Sequence, residues 1–422
     1  MISSKPLPAE HATAANEGLL RWVMVLACAG MVAMGFGAIV NMAVFFTPLA
    51  TEFGWSRGEL SLAYSAATIA TGIGGIAMGH FSDRVPIRWI ALCGAVFPAV
   101  ALIGLSRMTT QTELYAYHAL MGLLGIGAIM APLNTLAGQW MHRNPGLAIG
   151  VVSAGGALGQ GLVPFIARDL VLVHGWRSAY VTMGIAHIAI MLPLAFLIRN
   201  VGARGAAPSV GAQANPYSVS RKSLIAWLCV AVTFCCVCMG TPIVHVAALG
   251  SQAGLAPREA AGLLTVMMVF GMGGRVAFGK LADRFGNLRS YIVASAGQTV
   301  LAFMFPLFAS RPGLYVLSAL FGLVYSGAMT SFILCAREYA ESKNTGLAIG
   351  TVMFFGWLGM AVGGWQGGLF YDLCGSYDVS FANASWLGLA NLSVLALLYV
   401  HTIRRKRTLA AVVGTDDPTA CI

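Results

Sequence analysis

The stretch GLAIG at residues 146–150 occurs again, unchanged, at residues 346–350. Around it, residues 118–159 align without gaps with residues 318–359, and 16 of the 42 aligned positions are identical. An internal similarity at one constant offset, here 200 residues, indicates that the chain is built from two copies of one unit. The fold is therefore predicted to be a duplicated one.

The composition predicts that each copy lies in a membrane. Of the 422 residues, 58% are hydrophobic and 9% are charged, whereas a soluble domain carries about 25% charged residues. A spanning helix needs about 20 mostly apolar residues. Twelve runs meet this need, at 22–48, 58–80, 89–108, 114–138, 146–170, 178–199, 222–248, 259–280, 290–309, 313–336, 346–370 and 381–402.

Twelve helices and one repeat predict two halves of six helices each. Since six is an even number of crossings, both copies start on the same side of the membrane and form parallel repeats. The expected class is an all-α membrane protein. We expect the following organisation: an N-terminal tail at 1–20, a six-helix bundle at 21–199, a linker rich in Gly, Ala, Ser and Pro at 200–221, a second bundle at 222–403 and a C-terminal tail at 404–422.

The formal net charge of +10 is explained by topology. If both termini are cytoplasmic, 18 of the 25 Lys and Arg residues lie on the cytoplasmic side and six lie outside. This distribution follows the positive-inside rule and predicts a multi-pass protein of the cell (inner) membrane. Membrane lipid is then an expected partner, and nucleic-acid binding is not needed to explain the charge.

Two loops resemble the signature of the major facilitator superfamily. Residues 79–88 read GHFSDRVPIR and residues 279–286 read GKLADRFG, which are similar to the family's G-x-x-x-D-R-x-G loop, although Pro86 replaces the second glycine in the first copy. The resemblance implies a major facilitator fold in which the loops form a cytoplasmic gate. The gate residues would be Gly79, Asp83, Arg84, Gly279, Asp283 and Arg284.

Within that superfamily the chain resembles the monocarboxylate transporters and oxalate–formate exchangers. The matching stretches are 44–57, 146–150, 175–177 and 245–254, followed by the pair 274–275. The resemblance implies that Arg275 binds a carboxylate. The chain departs from the animal members at Gly271, where they carry an acidic residue. It also lacks their lysine in the first span, where the nearest positions are Val40 and Asn41.

Arg275 is also conspicuous on physical grounds. It is the one charge well inside a predicted span, where it costs about 2.5–3.5 kcal/mol on insertion scales, and arginine cannot lose its proton to avoid this cost. No acidic residue is predicted nearby in the membrane, so a substrate anion is the expected partner. Gly271, Gly273 and Gly274 are expected to leave room for it. The alternative is that Arg275 reaches the cytoplasmic face and pairs with Asp283 or a lipid phosphate.

Other polar residues in the spans are weaker candidates. Asn41 and Tyr325 are the first choices for further substrate contacts, and His245 is the candidate proton carrier because histidine titrates near neutral pH. Glycines four residues apart, as at 155 and 159 or at 359 and 363, predict close helix contacts. No metal-ligand cluster, cofactor motif or catalytic constellation is found, so neither an enzyme nor a cofactor is expected.

The expected function is transport of a small organic anion by alternating access. A proton-coupled symporter of a monocarboxylate such as lactate or pyruvate is the first hypothesis, with proton and carboxylate as partners. A carboxylate exchanger of the oxalate–formate type is the alternative. A drug exporter is less favoured, because carriers of cations are expected to use a buried Asp or Glu.

Overall fold

A computed structural model describes residues 8–200, 219–308 and 310–413. These residues are almost entirely helical and contain no β-strand. The helices are α1 (Pro8–Val40), α2 (Met42–Phe53), α3 (Arg57–Ser82), α4 (Ile87–Leu105), α5 (Gln111–Met121), α6 (Gly127–Trp140), α7 (Pro145–Leu197), α8 (Arg221–Gln252), α9 (Pro257–Phe285), α10 (Asn287–Met304), α11 (Arg311–Tyr339), α12 (Thr345–Cys374) and α13 (Asp378–Val413).

These helices supply the predicted membrane crossings. Among the described residues, ten helical stretches are long and apolar enough to span a membrane. One of them, α7, has 53 residues and would be about 80 Å long if straight, far more than the ~30 Å of a bilayer core. It breaks at Gly175, where φ is 77° and ψ is 163°, so α7 makes two crossings. Helix α10, with 18 residues, is not among those ten stretches, and counting it with them is consistent with the twelve predicted spans.

Two crossings consist of more than one helix. Asn41 separates α1 from α2 within the first span. A π-helical turn at Gly122–Ile126 joins α5 to α6 within the fourth span. Such turns are frequent at functional sites, and Ile126 lines the central cavity described below.

The helices at both ends of the chain are longer than the predicted spans. Helix α1 begins at Pro8, inside the segment expected to be a tail, and α13 continues to Val413. Span prediction counts apolar residues, whereas a helix continues wherever backbone bonding and propensity allow. The RRKRTLAA sequence after residue 403 is composed mainly of good helix formers. Most of the predicted linker, 201–218, lies outside the described residues.

The duplication is visible in the contacts as well as in the sequence. The Tyr115 hydroxyl donates to the Glu59 carbonyl oxygen over 3.0 Å, and 200 residues later Tyr315 donates to the Glu259 carbonyl over 2.8 Å. Positive φ recurs at the same offset, since Gly375 has φ 70° where Gly175 has 77°. The chain therefore folds as two parallel repeats.

Glycine pairs hold the helices of each half close together. In the N-terminal half, an added Cβ at Gly155 or Gly159 of α7 would overlap backbone atoms of α1. In the C-terminal half, Gly359 and Gly363 of α12 approach the backbone of α8 in the same way. The close contacts predicted from the four-residue glycine spacing are confirmed, and small residues are what lets helices approach in lipid.

Candidate functional site

The two halves meet at one end of the molecule, where α3 and α9 terminate. We call this the aspartate end, because Asp83 and Asp283 lie there. The main contacts between the halves run from α3 to α12 and from α9 to α7. Helices α1 and α2 make no comparable contact with α8 among the described residues. The space between the halves is thus closed at the aspartate end.

Asp283 makes the first of two equivalent contacts across the halves. Its Oδ1 accepts from the Gly146 backbone N–H over 2.7 Å, and its Oδ2 accepts from Leu147 N–H over 2.9 Å. Both donors belong to the first turn of α7, whose N–H groups have no partner within the helix. A carboxylate there also interacts favourably with the helix dipole.

Asp83 makes the second contact in the same way. Its two carboxylate oxygens accept from Gly346 N–H over 2.9 Å and from Leu347 N–H over 3.1 Å, in the first turn of α12. Burial raises the pKa of Asp83 above its ordinary value, and the two backbone hydrogen bonds oppose this rise. The neighbouring Arg84, a predicted gate residue, contributes a positive charge that also lowers this pKa.

Glycine is required on both sides of each contact. A Cβ added at Gly279 would overlap the Gly146 carbonyl oxygen, and one added at Gly79 would overlap the Gly346 carbonyl oxygen. The remaining predicted gate residue, Arg284, lies with its guanidinium carbon 5.3 Å from the centre of the Phe285 ring. The glycines and aspartates of the two loops therefore make the contact, and the GLAIG repeats supply its other side.

Above this closed end lies a cavity of about 130 Å³ between the halves. The N-terminal half contributes hydroxyl, amide and apolar groups, and the C-terminal half contributes the arginine and most of the sulfur and aromatic groups. The lining residues are Phe36, Ile39, Tyr64, Thr68, Thr71, Ile126, Met130, Ser153, Gln160, Cys236, Ile243, Met268, Arg275, Tyr325, Met329, Phe332, Ile333, Met353, Gly356, Trp357 and Met360.

Arg275 is the charged residue of this lining, and it is only 4% exposed. Its Nη1 donates to the Ser153 carbonyl oxygen of the opposite half. Its Nη2 lies 3.9 Å from the Met329 sulfur, and its Nε has no hydrogen-bond partner. Asp283 is engaged with α7 instead, so the alternative in which Arg275 reaches out to Asp283 is not what the structure contains.

Tyr325 also lines the cavity, close enough to Arg275 for the two groups to interact electrostatically. Its hydroxyl donates to the Met268 sulfur over 3.2 Å. The expectation that the nearby glycines leave room for a ligand needs correction at Gly274. A Cβ at Gly274 would overlap the Leu323 carbonyl oxygen, so this glycine permits close packing of α9 on α11.

The structure does not bring Asn41 and His245 to the cavity. Asn41 is buried at the junction of α1 and α2, with its Nδ2 4.0 Å from the Met183 sulfur. The His245 ring lies between α8 and α12, with Nε2 2.8 Å from the Gly364 carbonyl oxygen. Both residues lie in helices predicted to span the membrane, but their side chains contact Met183 and Gly364 and do not line the cavity.

Ser153 was missed by sequence reasoning. It is 3% exposed, it lines the cavity beside Arg275, and its hydroxyl has no hydrogen-bond partner. One signal for it existed, since it lies three residues after the GLAIG stretch. The sequence could not reveal that this stretch faces α9 of the other half.

Two pseudo-symmetric helical halves around a central cavity, closed at one end by matched contacts, define a multi-pass membrane transporter. The chain belongs to the Major Facilitator Superfamily, which it matches over residues 25–364. The prediction of that fold is confirmed. A solved structure of the superfamily transporter FucP, in the outward conformation, superposes with a TM-score of 0.70 at 14% identity, covering 89% of this chain and 98% of FucP.

Two curated relatives carry the name of the predicted subfamily. Monocarboxylate transporter 13 of Bos taurus is 24% identical over 385 residues, covering 90% of this chain and 90% of that protein. Monocarboxylate transporter 10 of Danio rerio is 26% identical over 422 residues, covering 94% of this chain and 81% of that protein. The resemblance to the monocarboxylate transporter group is thus matched by relatives along nearly the whole chain.

Proposed function

We propose that this protein is a secondary transporter of a small monocarboxylate, which binds to Arg275 in the central cavity. The observation that carries the proposal is the burial of this arginine in a cavity whose described lining has no acidic side chain. It is a permanent positive charge, almost fully buried, and the lining of its cavity includes no carboxylate within the part of the chain that the structure describes. Its fork of N–H donors matches a carboxylate geometrically, and its Nε is free to bind one.

The relatives support this assignment of substrate class. Two are named as monocarboxylate transporters, and a carboxylate is the simplest anion that would neutralise one guanidinium. Tyr325 is retained as a second substrate contact, because it lines the same cavity. Asn41 is left out, because it packs against Met183 instead.

The aspartate end is proposed to face the cytoplasm, together with both termini, the 200–221 linker and the two tails, in the cell (inner) membrane. The distribution of Lys and Arg supports this orientation. The structure then represents the state open to the outside. Breaking both aspartate contacts while the opposite end closes would expose Arg275 to the cytoplasm.

Proton symport and anion exchange are both kept as coupling mechanisms. Proton symport leaves the carrier's net charge unchanged over a cycle, and His245 remains its candidate proton carrier. His245 would have to act through the packing of α8 on α12, where it bonds Gly364. Exchange is favoured by one observation, that none of the described residues lining the cavity is a His, Asp or Glu. Arg275 would then cross only when paired with an anion.

The test is uptake of labelled monocarboxylate into proteoliposomes by wild type, Arg275→Gln and Arg107→Gln. Truncating one partner of a buried charge pair costs about 2–5 kcal/mol, so Arg275→Gln should lower uptake efficiency about 30-fold or more. Arg107→Gln removes an exposed positive charge outside the cavity and should transport normally. Normal uptake by Arg275→Gln contradicts the proposal. Stimulation by an inward proton gradient indicates symport, whereas a requirement for preloaded anion indicates exchange.

A further inference from the structure

The cavity walls indicate which monocarboxylates the site accepts. We propose that the substrate has an apolar, ring-sized or branched body attached to its carboxylate, and that lactate and pyruvate are poor substrates. This inference rests on the proposed function, because it uses Arg275 as the carboxylate site. The inference concerns the part of the substrate beyond its carboxylate, which would contact the lining residues other than Arg275.

Methionine is the most frequent residue type in the cavity lining. Five methionines line it, from both halves: Met130, Met268, Met329, Met353 and Met360. Methionine is flexible and polarisable, and it makes favourable contacts with aromatic rings. A wall of this kind adapts to an apolar surface and offers little to a hydroxyl or a second charge.

Aromatic side chains complete this wall. Phe36 of α1 and Trp357 of α12 face each other across the two halves, with ring centroids 6.1 Å apart at an interplanar angle of 36°. Both line the cavity, together with Phe332. A substrate with a ring or a branched chain would contact residues of both halves here, and burial of its apolar surface would contribute to binding.

Some polar groups of the cavity lining already have hydrogen-bond partners and others do not. Thr68 and Thr71 donate to the backbone carbonyls of Tyr64 and Ala67 in their own helix, and Tyr325 donates to Met268. The unpartnered buried atoms of the cavity are Arg275 Nε and Ser153 Oγ. Arg275 also bonds the Ser153 carbonyl, so both free donors lie together at the base and suit one carboxylate.

The other polar lining residues lie toward the opposite end. Gln160 is seven residues beyond Ser153 on α7, which is about 10 Å along the helix. Tyr64 lies seven residues before Thr71 on α3, which places it about 10 Å farther from the aspartate end and nearer the mouth. A bound molecule would therefore meet charge at the base, an apolar zone in the middle and polar groups at the mouth.

The size of the cavity agrees with such a body. It encloses about 130 Å³, close to the ~150 Å³ apolar cavity known to hold benzene. A two-carbon body would leave much of the methionine and aromatic surface without contacts. Wall atoms that face an empty apolar space lose dispersion contacts, so the affinity should rise as the apolar body of the substrate fills the cavity.

The first test compares ligands with one head group. Acetate, isovalerate, phenylacetate and the neutral isostere phenylacetamide are titrated against the purified full chain, with thermal shift and competition as readouts. We expect phenylacetate to bind at least about tenfold more tightly than acetate, since each methylene-sized gain in a fitted pocket is worth tenfold or more. Isovalerate should fall between them, and phenylacetamide should bind at least about tenfold more weakly than phenylacetate.

Each outcome separates the two proposals. Equal binding of acetate and phenylacetate contradicts the apolar-body inference and leaves the anion site in place. Equal binding of phenylacetamide and phenylacetate contradicts the anion site itself. Binding of none of the acids contradicts both.

Trp357→Ala provides the second test. It should lower phenylacetate affinity about tenfold and change acetate affinity less than about twofold, as expected for loss of a hydrophobic contact. The matched control is Trp365→Ala on the same helix, because Trp365 is 66% exposed and does not line the cavity. Met360→Ala serves if Trp357→Ala fails to fold. An unchanged phenylacetate-to-acetate ratio in the folded variants would show that these walls do not select the substrate.

Discussion

The two contacts that close the aspartate end use the same groups in both copies of the repeat. The side chains that lie deeper between the halves differ between the copies. On one side Asp83 of α3 caps α12, and on the other Asp283 of α9 caps α7, each through two backbone N–H groups. One turn or two deeper the copies diverge. Position 75 is glycine, with its carbonyl against Gly350, whereas position 275 is the arginine of the cavity.

The divergence extends to the partners of these positions. Ser153, beside Arg275, corresponds to Met353 in the other copy. Arg337 crosses the halves to donate to the Gly138 carbonyl over 2.9 Å, and its counterpart is Ala137. The duplicated elements thus keep the closing contact in both copies. The chemistry that we assign to substrate binding occurs in one.

The largest effect is expected where closure leaves no space at all. Gly279→Ala places a methyl group on the Gly146 carbonyl oxygen. Overpacking costs about 1–3 kcal/mol, which should shift the equilibrium away from this closed end about 5- to 150-fold. The shift is measured as the distance distribution between spin labels at the aspartate ends of the two halves, and as substrate uptake.

Gly273→Ala is the matched control in the same helix, because a Cβ there meets no atom within 4 Å. It should leave both measurements unchanged. Gly79→Ala, the counterpart of Gly279→Ala, should match Gly279→Ala within a few-fold, since its Cβ would overlap Gly346. A large difference between these two variants would show that the two contacts do not contribute equally to closure.

A smaller and unequal effect is expected from the aspartates. Asp83→Ala and Asp283→Ala each remove the acceptor of two helix N–H groups that are only part-buried. Because water can replace the carboxylate there, the cost should be about 0.5–1.5 kcal/mol in all. Asp283→Ala should be worse, because the positive charge near Asp283 belongs to the partly buried Arg337, whereas Arg84 near Asp83 is exposed to solvent. The same spin-label distances, measured for both variants, give the two populations.

The double variant Asp283→Ala/Arg337→Met isolates the charge contribution. It should recover part of the loss seen in Asp283→Ala, because the partly buried guanidinium without its nearby carboxylate is no longer present. If the two single aspartate variants behave alike and the double variant recovers nothing, Arg337 plays no part in closing the Asp283 side.

The organisation of this fold was predictable because it depends on counting. A repeat at constant offset and runs of about 20 apolar residues predict two halves of six crossings, and the fold and family matches confirm the predicted fold class. Arg275 was identifiable for a similar reason, since a lone charge in a span is costly wherever it points.

The partners of these residues were not predictable from the same pattern. Asn41 and His245 lie in predicted spans, but on helix faces that contact Met183 and Gly364. Successive residues of a helix are rotated by about 100°, so a shift of one position changes what a side chain faces. The groups that bind Asp83 and Asp283 are backbone N–H groups, which every residue type carries. Only the glycines that permit their approach leave a mark in the sequence.

The smallest predicted effect tests whether Ser153, which corresponds to Met353 in the other copy, contributes to substrate binding. Ser153→Ala removes a hydroxyl that has no partner without ligand, so the unfolding temperature should stay within the small range usual for neutral changes. If the carboxylate bound to Arg275 also accepts from Ser153, affinity for a monocarboxylate should fall about three- to tenfold. The control is Ser318→Ala, which removes another buried hydroxyl that has no partner among the described residues, at a position outside the cavity lining. Unaltered affinity in Ser153→Ala would mean that the carboxylate contacts the C-terminal half alone, and the substrate would then not link the two halves at this level.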